Sequence, residues 1–485
     1  MQTDYDVIIS GGGMAGLITA SAIAKFTNQK FSILVIERNP KVDAGKKTVS
    51  GWICGDAVSK RSIDFMRTEI GLAYGRPELE QPVKGVVAYS PDHEAPILFD
   101  GEGYVLNRKI LPQRQVSDAE KLGVEFEFET TAESLLSENG RIVGISGTDR
   151  KTGTKVKKTS KIVVDATGSA SKLRQNLPIK SKIQREIDKE NDLESTGRYI
   201  LEFDNARDDT TYFDPDYCII HLDQDLAPGG YAWVFPKGKN KVNIGLGVQH
   251  KSLLRRNRRL SSNDTLQSLI DKYVDGNPAM KNRRLADGDG DSGNSKGNWQ
   301  VPVRRQNDCM VADGYLLVGD SAWMPRPIDA GGIGPTIVAA VLAGRNIAVA
   351  LEAEDASEEM LWTYNTDYVR AYGYQMASFE LLRRYLQTLS NQEISYGMKH
   401  FLSNDDVQNI TRREHPNFGR VNLLNPIMWL RIFTHWDLAV GLRYTAQMSE
   451  ALIEHNLNYP RNPEHFADWH RKLLRMMNEA YQRFS

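Results

Sequence analysis

Gly11, Gly13 and Gly16 stand in the spacing G-x-G-x-x-G, and what they offer chemically is bare backbone. With no side chains at these points, main-chain amides can close on a pyrophosphate at a helix N-terminus, where unpaired N–H groups and the helix dipole favour an anion. Glu37 follows Gly16 by 21 residues. A carboxylate there is placed to accept from both hydroxyls of a ribose, which implies a ribose without a 2′-phosphate. A second group of residues is aromatic. Tyr231, Trp233 and Phe235 alternate in Tyr231-Ala-Trp-Val-Phe-Pro236, and alternation along a strand sends all three rings to one face. That face is either the wall of an apolar site or ordinary core packing.

The elements that must hold these residues are legible as pattern. Asp6-Val-Ile-Ile reads as a short buried strand, Leu17 to Phe26 as an alanine-rich helix and Phe31 to Ile36 as a second strand, together a βαβ unit. Lys161-Ile-Val-Val-Asp165 and Gly314-Tyr-Leu-Leu-Val-Gly-Asp320 are short apolar strands expected to join the same sheet from distant sequence. Arg198 to Asp204, Tyr217 to Leu222, Tyr231 to Phe235 and Lys241 to Val248 are β-branched and aromatic runs that predict an antiparallel second domain. Asp287 to Gly297 holds almost only Gly, Asp, Ser and Asn and is expected to be a solvated surface loop. It lacks the closing Glu of a calcium loop, so no metal site is expected. After Gly331 the pattern is helical; Leu361, Tyr364, Tyr368 and Tyr372 recur at helical spacing, and a C-terminal helical region is expected over 351–485.

Three segments in order resemble the flavin motifs of the p-hydroxybenzoate hydroxylase superfamily: Gly11 to Gly16, Asp165-Ala-Thr-Gly168, and Gly319-Asp320 followed by Ala330-Gly-Gly-Ile-Gly334. Two more narrow the likeness. Tyr231-Ala-Trp-Val-Phe-Pro236 and Cys54-Gly-Asp-Ala57 resemble segments of the geranylgeranyl reductase family. The resemblance is clearest over residues 4 to 350 and implies an α/β (α+β) fold: an FAD-binding Rossmann-like domain (1–85, 101–175 and 300–350), an antiparallel-sheet substrate domain (86–100 and 176–299) and the helical region. By this likeness Gly11, Gly13, Ala15, Gly16, Glu37, Cys54, Gly55, Ala57, Arg108, Ala132, Asp320, Gly332 and Ile333 line FAD, while Tyr231, Trp233 and Phe235 line the substrate pocket. Arg108 follows Asn107 where the family has Asp, and Pro112 stands where a crossover helix is expected and would disturb it.

The implied reaction is saturation of C=C bonds in geranylgeranyl chains, as in archaeal-type ether lipid biosynthesis. Tyr231 and Trp233 would then stabilise positive charge developing on the alkene, and Cys54 or a water would deliver a proton. A flavin-dependent monooxygenase or halogenase is the alternative, since halogenases have a segment resembling Tyr231 to Pro236. The likeness leaves the electron donor open between NADPH and a ferredoxin-like protein.

Composition restricts partners. With 61 Lys plus Arg against 62 Asp plus Glu, the net charge of −1 provides no long-range field for nucleic acid. Cys54, Cys218 and Cys309 lie too far apart in sequence for a disulfide framework, which points to a reducing, cytoplasmic setting. No signal peptide and no membrane-spanning run of about 18 apolar residues is expected. Peripheral membrane contact is expected only from Leu423 to Phe433, where Trp429 and Met428 cluster near Arg420 and Arg431; burial of that stretch is the alternative.

Overall fold

The computed structural model describes residues 3–44, 54–204, 209–286, 295–401 and 435–484. Strand β1 (Tyr5–Ser10) leads through the glycines into α1 (Met14–Phe26), and β2 (Ile33–Ile36) returns beside β1 in parallel register. The β1 and β2 cores are apolar throughout because both faces of this parallel sheet are covered. Next come β3 (Ala57–Ser59), α2 (Lys60–Ile70), β4 (Leu79–Tyr89) and β5 (Ile97–Leu106). Helix α2 starts on a Ser59 side-chain cap and stops at Gly71 in the left-handed region.

Helix α3 (Leu111–Lys121) is intact. Pro112 lies in its first turn, where the missing N–H would have no intrahelical partner, so the disturbance expected from an interior proline does not occur. Strands β6 (Glu125–Glu127), β7 (Thr130–Glu138), β8 (Arg141–Asp149) and β9 (Lys155–Asp165) and the short α4 (Lys172–Gln175) complete the N-terminal part.

The second sheet takes β10 (Leu193–Glu202), β11 (Tyr217–His221), β12 (Ala232–Pro236) and β13 (Lys241–Gln249). Helices α5 (His250–Leu260) and α6 (Leu266–Gly276) follow, then β14 (Arg284–Leu285) and β15 (Lys296–Pro302). Strands β16 (Val311–Ala312) and β17 (Tyr315–Leu317) return to the first sheet. Helix α7 (Ile333–Glu352) opens a helical region that includes α8 (Glu358–Ala371), α9 (Met376–Leu386) and α10 (Asn391–His400), and later the helices Trp436–Leu457 and Phe466–Arg483.

The first sheet runs β16-β17-β9-β1-β2-β6, with β7 and β8 attached through β9; the second runs β14-β10-β13-β12-β11-β4-β5-β3, with β15 on β10. Two expectations need correction. Strands β3, β4 and β5 all pair in the second sheet, so it holds 57–59 and 79–106 rather than 86–100 alone, and β15 carries it to Pro302 rather than 299. The sheet is also mixed, because β11 pairs with β4 in parallel: the two strands arrive from segments more than a hundred residues apart and need no hairpin.

Helix α7 is long and apolar enough to cross a membrane by composition, yet 83% of its apolar window is buried. It packs on α1 so closely that a Cβ on Gly344 would come within 2.4 Å of the Ala22 Cβ. That crossing brings the N-termini of both helices to one region of the molecule.

Candidate active site

The glycine loop is shaped by close approach. Gly11 has φ +110°, and a Cβ there would meet the Ala166 carbonyl oxygen at 2.4 Å; a Cβ on Gly16 would sit 2.0 Å from the Gly11 carbonyl oxygen. Gly13, by contrast, faces open space within 4 Å. It precedes the first turn of α1, which has no side-chain cap and no acidic residue. This helix end can therefore take an anion at its amides. Glu37 stands at the side of the loop: its Oε2 accepts from the Gly12 N–H (2.7 Å) and its Oε1 from the Asn39 N–H (2.8 Å). The carboxylate fixes the loop and keeps lone pairs for ribose hydroxyls.

Three segments far apart in sequence meet beyond that loop. Gly319, at φ +76°, would place a Cβ 2.8 Å from the Ala15 Cβ, so the turn after β17 lies on the start of α1. Burial pushes the adjoining Asp320 carboxyl up to about 6, against the pull of Arg108. Burial likewise raises the half-buried Cys54 thiol; Arg108 draws it down and Asp56 and Asp320 raise it further. Cys54, Arg108 and Asp320 thus share one electrostatic neighbourhood. A Cβ on Gly332, the residue before α7, would lie 3.6 Å from Asp320 Oδ1, and Ile333 is buried just after it. Ala132 lies on β7 opposite Gly147, packed against the main core, and no hydrogen bond or charge interaction joins it to Cys54 or Asp320 among the described residues. An anion-ready helix end, a carboxylate beside it and a buried carboxyl next to bare backbone at 331–332 fit the pyrophosphate, adenosine ribose and ribityl chain of FAD.

The aromatic segment forms the opposite wall. Trp233 pairs with Gly245 and Phe235 with Asn243 across β12 and β13, and directly opposed residues share a face. Tyr231, Trp233 and Phe235 follow one another at centroid spacings of 6.0 and 6.2 Å. A Cβ on Gly245 would be 2.6 Å from the Trp233 ring, so the indole lies across β13 where only glycine leaves room. A Cβ on Gly55 would be 2.8 Å from the Phe235 ring and 3.8 Å from Trp233 Nε1, which sets the Cys54 to Ala57 turn directly on the aromatic face. The other face of the sheet is closed by α6, with Val234, Ile244 and Leu246 packed among Leu269, Ile270 and Tyr273.

A polar network that the sequence reading did not single out holds the wall in place. Trp233 Nε1 donates to Asn243 Oδ1 (2.9 Å); Asn243 Nδ2 donates to the Cys54 carbonyl (2.8 Å) and to Asp56 Oδ2 (3.0 Å). Lys237 Nζ donates to the Leu106 carbonyl (2.6 Å) and pairs with Glu80 (2.8 Å) and Asp56 (3.4 Å). Asn243 is 0% exposed, so each of its bonds replaces water it has lost. The signal available in sequence was the alternation Asn243, Gly245, Gly247 on one face of a strand. Finally, the Tyr231 hydroxyl donates to the Asp329 carbonyl (2.6 Å), tying the aromatic wall to the loop that opens α7.

Comparison with known proteins agrees with this geometry. Residues 192–286 match the geranylgeranyl reductase catalytic domain and residues 107–197 an FAD binding domain. A digeranylgeranylglycerophospholipid reductase of Sulfolobus acidocaldarius is 33% identical over 483 residues, covering 99% of this chain and 98% of the relative. One from Methanothrix thermoacetophila is 27% identical, covering 84% and 94%. Among solved structures, a geranylgeranyl bacteriochlorophyll reductase-like protein of Thermoplasma acidophilum has TM-score 0.68 at 24% identity, covering 90% of this chain and 99% of that one. A myxobacterial chondrochloren halogenase has TM-score 0.64 at 18% identity, covering 91% and 97%, a likeness of fold alone.

Proposed function

Because this chain belongs to the geranylgeranyl reductase family, we propose that it is an FAD-dependent oxidoreductase that saturates C=C bonds of geranylgeranyl chains in archaeal-type ether lipid biosynthesis. The observation that carries the reading is the placement of the Tyr231, Trp233 and Phe235 face against the Cys54 turn, beside the cluster of Arg108 and Asp320. Reduced FAD supplies hydride when bound. This chain supplies the rest: an apolar wall that seats the prenyl chain, ring faces that favour positive charge on the more substituted alkene carbon, and a site that keeps water from competing.

We assign FAD contacts to Gly11, Gly13, Ala15, Gly16, Glu37, Cys54, Gly55, Ala57, Arg108, Asp320, Gly332 and Ile333. We assign Ala132 to the adenosine side of the same site: it lies two residues after Thr130, whose backbone N–H donates to the Glu37 carbonyl (3.0 Å). Glu37→Ala should leave a folded protein that loses FAD on gel filtration, with the flavin absorbance of the protein peak falling. Retention equal to wild type would restrict Glu37 to loop fixation.

The decisive assay is mass spectrometry of a geranylgeranyl ether lipid incubated anaerobically with dithionite-reduced protein, where mass gains of two hydrogens per bond are expected. Unchanged lipid with substrate-dependent oxygen consumption in air would favour the monooxygenase or halogenase reading instead.

The proposal extends to partners. A single convincing dinucleotide fingerprint, taken up by FAD, supports an electron donor that docks transiently, either NADPH or a ferredoxin-like protein, and anaerobic flavin bleaching by each separates them. A cytoplasmic protein at the membrane periphery fits the lipid substrate. Leu423 to Phe433, the stretch expected to make that contact, lies outside the described residues, and liposome flotation of Trp429→Ala against wild type tests it.

A further inference from the structure

Glu194 is a carboxyl that none of the motifs claims. It lies on β10 opposite Gln249 of β13, two residues before Thr196, which pairs with Gly247, and four before Arg198, which pairs with Gly245. Through Gly245 the same face continues to Trp233, and through Gly247, whose N–H donates to the Tyr231 carbonyl, to Tyr231. Glu194 therefore stands on the same face of the sheet as the aromatic wall, one strand beyond the glycines. Cβ atoms on Gly230 or Gly247 would each lie 3.2 Å from Glu194 Oε2, so two bare backbone positions make the hollow its carboxyl enters. It is 4% exposed, and no hydrogen-bond donor reaches the carboxyl among the described residues. Burial without a donor disfavours the charged form of this carboxyl.

We propose that Glu194 is the acid that protonates the alkene. The inference rests on the reading of the chain as a prenyl reductase. In the step, the alkene π pair forms a C–H bond to the carboxyl proton and the O–H bond leaves its electrons on the carboxylate; reduced FAD, when bound, would supply the hydride that the other carbon takes, and solvent returns a proton to Glu194. Burial holds the carboxyl protonated up to about 7, with Arg383 pulling the other way. The groups that face it are Arg383 of α9, itself bonded to the Asn191 carbonyl, Gln387 and Asp192, and Tyr231, whose hydroxyl burial keeps neutral; β13 presents only Gly247 and Gln249. Arg383 can steady the carboxylate after transfer. Cys54, the other acid on this wall, is less suited: burial disfavours its thiolate, and Asp56 and Asp320 outweigh some of the help from Arg108.

The test compares wild type with the isosteric Glu194→Gln as FAD holoenzymes. In anaerobic single turnovers with a geranylgeranyl ether lipid, wild-type reoxidation should fall as pH rises through about 7. Glu194→Gln should keep its flavin spectrum, react at least about 100-fold more slowly at pH 6 and lose that pH dependence. Urea stability provides a readout without turnover. A carboxyl raised above its unfolded value stabilises below about pH 4.3 and loses that contribution as pH climbs through about 7, so wild-type stability should decline across this window more steeply than that of Glu194→Gln, in which only the raised Asp320 carboxyl still contributes. A variant within about threefold of wild type at pH 6, or stability profiles that run parallel, overturns the assignment. Wild type that leaves the lipid unchanged overturns the substrate reading itself, whereas active wild type beside an equally active variant overturns only the acid.

Discussion

Trp233→Ala should yield a yellow, folded protein whose alkene-dependent reoxidation is slowed and whose partly saturated products are more varied than those of wild type. The indole lies across Gly245 in contact with the Phe235 and Tyr231 rings and bonds Asn243 through its N–H, and it is 6% exposed. Removing it costs stability, on the order of 3–5 kcal/mol for a large buried aromatic, and leaves Asn243 Oδ1 without its donor. It also opens the wall by most of a ring, so a prenyl chain can settle in several registers and lose the geometry in which a double bond meets the reactive atoms. Slower turnover and a broader product pattern must appear together. Loss of FAD with unfolding would make Trp233 a core residue only, and unchanged products at an unchanged rate would move the substrate wall elsewhere. Trp233→Phe, which keeps an aromatic ring on this face but drops the N–H, shows how far a ring there suffices without the Asn243 bond.

Glu380→Ala should destabilise the fold by about 3–5 kcal/mol, because it leaves a buried guanidinium half-paired. Arg305 donates from Nε and Nη2 to Asp308 (2.8 Å each) and from Nη1 to Glu380 (3.2 Å), while its backbone N–H also bonds Glu380 (2.9 Å). Tyr481 donates to Glu380, and His470 reaches Asp308 at 3.0 Å, so the last helix is anchored on the same cluster. Burial works against both carboxylates, but Arg305 beside them holds each below its ordinary range. Such groups stabilise above the unfolded carboxylate pKa, and that contribution is lost as pH falls below it. Urea unfolding should therefore show wild type losing stability steeply in acid, with a shallower acid slope for Glu380→Ala. A loss under about 1 kcal/mol would mean that Arg305 finds another partner.

What the amino-acid sequence determined by itself is whatever depends on neighbours along the chain. The G-x-G-x-x-G loop, the helix behind it and Glu37 lie within one βαβ unit, so local spacing specified their arrangement, as alternation specified that Tyr231, Trp233 and Phe235 share a face. Pro112 was legible in type and misread in position, because one turn separates a helix start from a helix interior. Tertiary structure decided what no local pattern contains. It placed Cys54, Arg108 and Asp320 in one neighbourhood, and it brought β4 alongside β11 in parallel. It also put Glu194 on the aromatic face, since which residues of β10 share that face follows from a register with β13, a strand some fifty residues away. A carboxylate alternating with Ser and Thr on a strand looks like a solvated edge until the sheet and the domain facing it close over it, and burial then makes it an acid.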